Sequence, residues 1–84
     1  MTESFDQPHP AEDVFVDFDA MGCGDLALAL MRSTKSLQPG QIVKVRALDP
    51  GAQADIPAWC RLTRNPLIAL DAGTHCYWIK RKDA

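Results

Sequence analysis

Along this chain the spacing of apolar positions switches between two residues and about 3.6, and the switches divide it into elements. "VFVDFD" at 14–19 alternates, with Val14, Val16 and Phe18 on one face and Phe15, Asp17 and Asp19 on the other, which predicts a strand. From Gly24 the period lengthens. Leu26, Ala27, Leu30, Met31, Thr34 and Leu37 recur at helical spacing, Arg32, Lys35 and Ser36 take the wet side, and Pro39-Gly40 stands beyond the end. "QIVKVRAL" alternates again and sets Val43, Val45 and Ala47 opposite Ile42, Lys44, Arg46 and Leu48, a second strand buried mainly on one face. "DPG" at 49–51 is a turn or helix entry in which Asp49 is suited to capping. A second helix follows, with Ala54, Ala58, Trp59 and Leu62 as its apolar positions. Pro57 fits if Asp55 caps a fresh turn and the proline lies inside it, where a missing N–H costs little. After "RNP" at 64–66, "LIAL" and "HCYWIKRK" read as strands joined through Asp71-Ala72-Gly73-Thr74, a hairpin-length loop.

The order β-α-β-α-β-β predicts an α/β two-layer sandwich, a four-stranded mixed sheet with both helices on one face. Neighbouring parallel strands are expected at its start and an antiparallel hairpin at its end. Residues 1–12, polar and acidic with two prolines, read as a disordered tail, and 13–84 as a single domain. Eighty-four residues of 46% hydrophobic content suit one small packed domain. No apolar run approaches the ~20 residues of a membrane helix. No basic segment followed by an apolar one marks a signal peptide. Cys23, Cys60 and Cys76 make an odd count without a C-x-x-C pair, which favours reduced thiols in the cytoplasm.

The formal net charge of −2 conceals an asymmetry, since residues 1–25 carry seven acids and no Lys or Arg, and all nine basic residues follow. This describes an acidic leader ahead of a mildly basic domain, or a basic docking face for an acidic partner. Nucleic acid is disfavoured, because neither a dense basic run nor interleaved aromatics are present.

Cys23 lies between Gly22 and Gly24 where the helical pattern opens. A helix start presents unpaired N–H groups and partial positive charge, which shift a thiol toward thiolate. That effect is worth roughly 0.3–1 kcal/mol when exposed, less than one pKa unit. Asp25 opposes it. The two glycines leave the sulfur sterically open, as chemistry between two proteins requires. The other reading of Cys23 is a small apolar residue filling the strand-to-helix corner.

Four pieces of the chain, "VDFDAMGC", "LQPGQ", "ALDPGAQADIPAWCR" and "YWIKRK", resemble the TusA (SirA-like) family of sulfur-carrier proteins, from about Val14 to Lys82. The resemblance implies the same two-layer sandwich. It also implies that Cys23 accepts sulfane sulfur as a persulfide and relays it. The donor would be a cysteine desulfurase or rhodanese-like protein, and the recipient an acceptor protein's cysteine. No cofactor is implied. The family's Cys-Pro-x-Pro motif reads Cys23-Gly24-Asp25-Leu26 here, without either proline, and its later Gly-His pair reads Arg64-Asn65. These departures support an alternative, an interaction or regulatory module of the same fold that has lost sulfur transfer. A nucleic-acid binder would rest on fold analogy alone.

The remaining candidates are weaker. Cys60 on the second helix is expected to pack. Cys76 and His75 point to opposite faces of a strand, so they do not jointly form a metal site, and no ligand spacing elsewhere supports one. Trp59 and Trp78 are expected in the core or at its edge. Lys80, Arg81 and Lys82, with Arg46 and Arg61 if they share a face, form the candidate partner-binding patch. A monomer is expected.

Overall fold

The computed structural model describes residues 9–83; residues 1–8, most of the expected tail, and residue 84 lie outside the described residues. The elements run β1 (Val14–Asp19), α1 (Cys23–Lys35), β2 (Ile42–Ala47), α2 (Ala52–Thr63), β3 (Leu67–Asp71) and β4 (Cys76–Lys80). The sheet order is β1-β2-β4-β3. β1 and β2 are parallel, with Val14 opposite Val43 and Val16 opposite Val45. β4 pairs antiparallel with β2 on one side, Val43 opposite Ile79 and Val45 opposite Tyr77, and with β3 on the other. The predicted α/β two-layer sandwich with a mixed sheet is therefore the fold, and β4 separates β2 from β3.

Alternation decides which side chains meet the helices. Val43, Val45 and Ala47 of β2 and Tyr77 and Ile79 of β4 are buried with Phe18, Leu26, Leu30, Leu37, Ala52, Ile56 and Cys60 in one cluster. Each fully buried Leu or Ile there contributes about 1.5–3 kcal/mol of transfer free energy.

Both helices turn differently from the expected stripes. On α1, Leu26, Leu30, Thr34 and, just beyond its end, Leu37 are buried, whereas Ala27 and Met31 are exposed. The Thr34 hydroxyl is tolerated inside because it donates to the Leu30 carbonyl at 3.0 Å. On α2 the buried residues are Ala52, Ile56 and Cys60, spaced by four; of the expected set Trp59 packs at the core's edge, but Ala54 and Ala58 are exposed and Leu62 is 83% exposed. The helix is continuous through Pro57 and is not restarted by Asp55. The carbonyl of Gln53, four residues earlier, belongs to an exposed residue, so water can replace the missing donor. Entry is set instead by Asp49, whose carboxylate accepts the Gly51 N–H at 2.9 Å. A Cβ on Gly51 would lie 2.9 Å from that carboxylate oxygen, so a side chain there would push the Asp49 carboxylate out of this bond.

Past α1, Pro39 and Gly40 are the centre of a turn closed by the Gln41 N–H on the Gln38 carbonyl, 3.0 Å. Gly40 has φ 86°, the left-handed conformation that glycine takes without penalty. At the far end of the sheet, Asp71 accepts the Gly73 N–H at 3.0 Å and organises the expected hairpin.

Candidate functional site

The corner between β1 and α1 is held from both sides. β1 is irregular between Asp17 and Asp19, where the pairing register shifts, and Asp19 adopts φ 52°. The Asp19 N–H donates to the Asp17 carboxylate at 2.9 Å, the Leu48 N–H to the Asp19 carbonyl at 2.8 Å, and the Met21 N–H to the Phe18 carbonyl at 3.1 Å. With Phe18 buried and Met21 packed on the core, this delivers Gly22 in extended conformation, φ −80° and ψ 175°, as the N-cap of α1.

Cys23 is the first residue of the helix. The first intrahelical bond runs from the Leu26 N–H to the Gly22 carbonyl, 2.7 Å. Gly22 has no side chain to cap the turn, so the N–H groups ahead of Leu26 face an incoming anion or solvent. Nothing lies within 4 Å of where a Cβ would stand on Gly22 or Gly24. Residue 24 lies in the first turn, where proline is accepted as well as glycine. Asp25 sits in the same turn and is exposed. Leu26 and Leu30, both buried, fix the helix to the sheet one and two turns along. Beside them an apolar groove of about 230 Å³ separates the helices, lined by Leu26, Ala27, Leu30, Ala58, Trp59 and Leu62 with Asp55 at its edge.

The other cysteines are packed. Cys60 is buried, and burial pushes its thiol up to about 11 although Arg61 pulls it down. Cys76 is buried with its Sγ 3.5 Å from the Thr74 carbonyl. Among the described residues no group of three or more His, Cys, Asp or Glu is placed to hold a metal ion.

The five basic candidates are distributed over the molecule. Arg46 lies on the outer sheet face, where Nη1 contacts both carboxylate oxygens of Asp17 at 2.9 and 2.8 Å. The Asp19 N–H first, and this guanidinium second, hold the Asp17 carboxyl below its ordinary value. Arg61 projects from the last turn of α2, in the opposite layer, so the two arginines do not share a face. Lys80 falls on the outer face by alternation from Tyr77 and Ile79. Arg81 is engaged within the fold, with Nη1 donating to the carbonyls of Lys35, at 3.1 Å, and Leu37. The Lys82 N–H donates to Asn65 Oδ1 at 3.0 Å.

Two arrangements escaped the sequence reading. Asn65 is buried and ties the end of α2 to the segment after β4, its amide donating to Thr63 Oγ1 at 3.1 Å. His9 stacks on Trp78, a contact 69 residues apart on the chain that no local pattern announces.

Fold and corner together define a small α/β sandwich with a cysteine heading its first helix. Comparison with known proteins places that class. A family model described as "Sulfurtransferase TusA" matches residues 14–81. A sulfur carrier protein TusA of Pseudomonas paraeruginosa is 34% identical over 76 residues, covering 88% of this chain and 95% of that protein. The protein of the same name from Pseudomonas aeruginosa is 33% identical over 72 residues, covering 83% and 91%. That from Pseudomonas putida is 33% identical over 72 residues, covering 83% and 90%. The chain belongs to the TusA family.

Proposed function

We propose that this protein is a cytoplasmic sulfur carrier and that Cys23 is the residue that bears the sulfur. What supports the reading above all is the place of Cys23, first in α1 behind the N-cap Gly22, in a chain of this family. The Cys23 thiolate attacks the terminal sulfur of a donor protein's cysteine persulfide. A new S–S bond forms to Cys23, the donor's S–S bond breaks, and the donor cysteine leaves as thiolate. The reverse polarity completes the relay: an acceptor's thiolate takes the terminal sulfur and Cys23 is released. The uncapped N–H groups of the first turn stabilise the thiolate before attack and the persulfide anion after it. No proline is needed for these electrostatics, because they come from the backbone. The bonds at Asp19, Met21 and Leu48 hold the segment that leads into the helix.

The donor is a protein that carries sulfur on cysteine, of cysteine desulfurase or rhodanese type, and the recipient is a protein thiol. No helix among the described residues is long and apolar enough to cross a membrane. The test is intact-protein mass spectrometry after incubation with a cysteine desulfurase and cysteine, or a rhodanese and thiosulfate. A gain of one sulfur mass on the wild type, removed by reductant and absent from Cys23→Ser, is the expected result. A wild type that stays unloaded with both donors overturns the reading in favour of an interaction module of the same fold.

A further inference from the structure

Trp78 is 1% exposed, yet it points away from both helices and lies outside the cluster that they cover. Its cover is the segment ahead of β1. The His9 ring stacks on the indole with centroids 4.3 Å apart and planes 28° from parallel. The indole N–H donates to Glu12 Oε1 at 3.4 Å, and His9 Nε2 stands 3.4 Å from Asp71 Oδ2. Lys44 Nζ lies 5.2 Å from the Trp78 ring and 5.5 Å from that of Phe15, close enough for cation–π attraction to both.

The cover is held by side chains. Among the described residues its first backbone bond to the sheet comes only at Asp13, whose N–H donates to the Ile42 carbonyl at 2.8 Å. Pro10 has no N–H to offer a ladder, and residues 9–13 are all exposed or half-exposed themselves. A large aromatic ring is therefore buried by a segment with a light hold, which begins before the residues that the family model matches.

We infer that the outer face of the sheet is a docking surface for an extended acidic peptide carrying an aromatic or imidazole ring, and that His9–Glu12 fills it as a displaceable stand-in within the chain. The stand-in shows the chemistry the face accepts: a flat ring on Trp78, and a carboxylate at the indole N–H beside Lys44. Charge favours the same class of partner. Lys44 and Lys80 lie on this face, Arg46 and Asp17 neutralise each other there, and Asp71 is met by the stand-in's His9, a place that an imidazole of the incoming peptide would take. Because α1 lies in the other layer, a partner held here sits across the sheet from the helix that Cys23 opens.

The test uses the full chain and the two indole N–H signals of its nuclear magnetic resonance spectrum, Trp78 as probe and Trp59 as internal control. His9→Ala combined with Glu12→Gln should move the Trp78 signal and leave that of Trp59 and the amide dispersion in place. A synthetic peptide of residues 1–13, added at millimolar concentration, should return the Trp78 signal toward its wild-type position. The wild type, its face already filled, should need at least tenfold more peptide for any change. A Trp78 signal that the substitutions leave unmoved, or one that peptide does not restore, overturns the inference. So does restoration by oligouridylate and not by peptide, which would mark a nucleic-acid platform.

Discussion

Arg64 ends α2 in the left-handed conformation, φ 64° and ψ 23°, at a position where a side chain is a liability. An L-residue there carries roughly 1–2 kcal/mol of steric cost, from its Cβ against the following carbonyl. Glycine removes that cost but gives the unfolded chain more freedom, which returns roughly 0.5–1 kcal/mol of the gain. The difference predicts that Arg64→Gly stabilises the domain by about 0.5–1 kcal/mol, or about 2–8 °C in Tm for a domain of this size. Arg64 is exposed, so little packing is lost with its side chain. Urea unfolding with a common m-value, alongside thermal melts, measures the change. Arg64→Ala is the control that gives the argument its edge. Alanine discards the charge and the long chain but keeps the Cβ, so it should gain nothing. Equal stabilisation by both variants would show that the guanidinium, not the backbone conformation, is the cost, and the reasoning would fall.

Two further outcomes follow from polar groups that packing encloses wholly or in part. Arg81→Ala removes the donor to the carbonyls of Lys35 and Leu37, which α1 leaves unpaired at its end, and should cost about 1–2 kcal/mol in urea unfolding, a charge-assisted bond discounted for partial exposure. A loss under a few tenths of a kcal/mol would mean that water replaces the guanidinium freely. Alkaline stability is the other. Burial raises the Cys60 thiol from 9.0 to about 11 and moves the Tyr77 hydroxyl up from 10.0. The unfolded chain therefore gives up these protons first, so stability should hold until about pH 9 and fall as pH rises toward 11. In melts from pH 7 to 10.5, Cys60→Ala should show a shallower fall than the wild type; an unchanged slope would remove Cys60 as its source.

Most of the architecture could be read from period alone. The four strands announce themselves because one face of each position pair meets helices and the other meets water or a thin cover. The second helix was misoriented for an identifiable reason. Helical spacing alone fits Ala54, Ala58 and Leu62 as well as it fits Ala52, Ile56 and Cys60, and the continuous helix sets the second series inward with Trp59 at the core's edge. Cys23 was legible as a candidate because glycines flank it at a change of period, a local signal. The basic residues were not assignable, since Arg81 acquires its partners only when β4 and the end of α1 meet. His9 gains its meaning from Trp78 in the same way. Local patterns specify faces; they do not specify which distant side chain closes over them.

The position of β4 governs how the domain is made. It is the last strand of the fold and yet a central one, hydrogen-bonded to β2 on one side and β3 on the other. During synthesis, β1, α1 and β2 can assemble early, but β3 has no neighbour until Cys76–Lys80 leaves the ribosome. Until then the inner edge of β2 and the whole of β3 are open strand edges, the kind of surface that chaperones hold and aggregates recruit. A message cut before codon 76 would yield no smaller carrier, only two pieces of sheet with nothing between them.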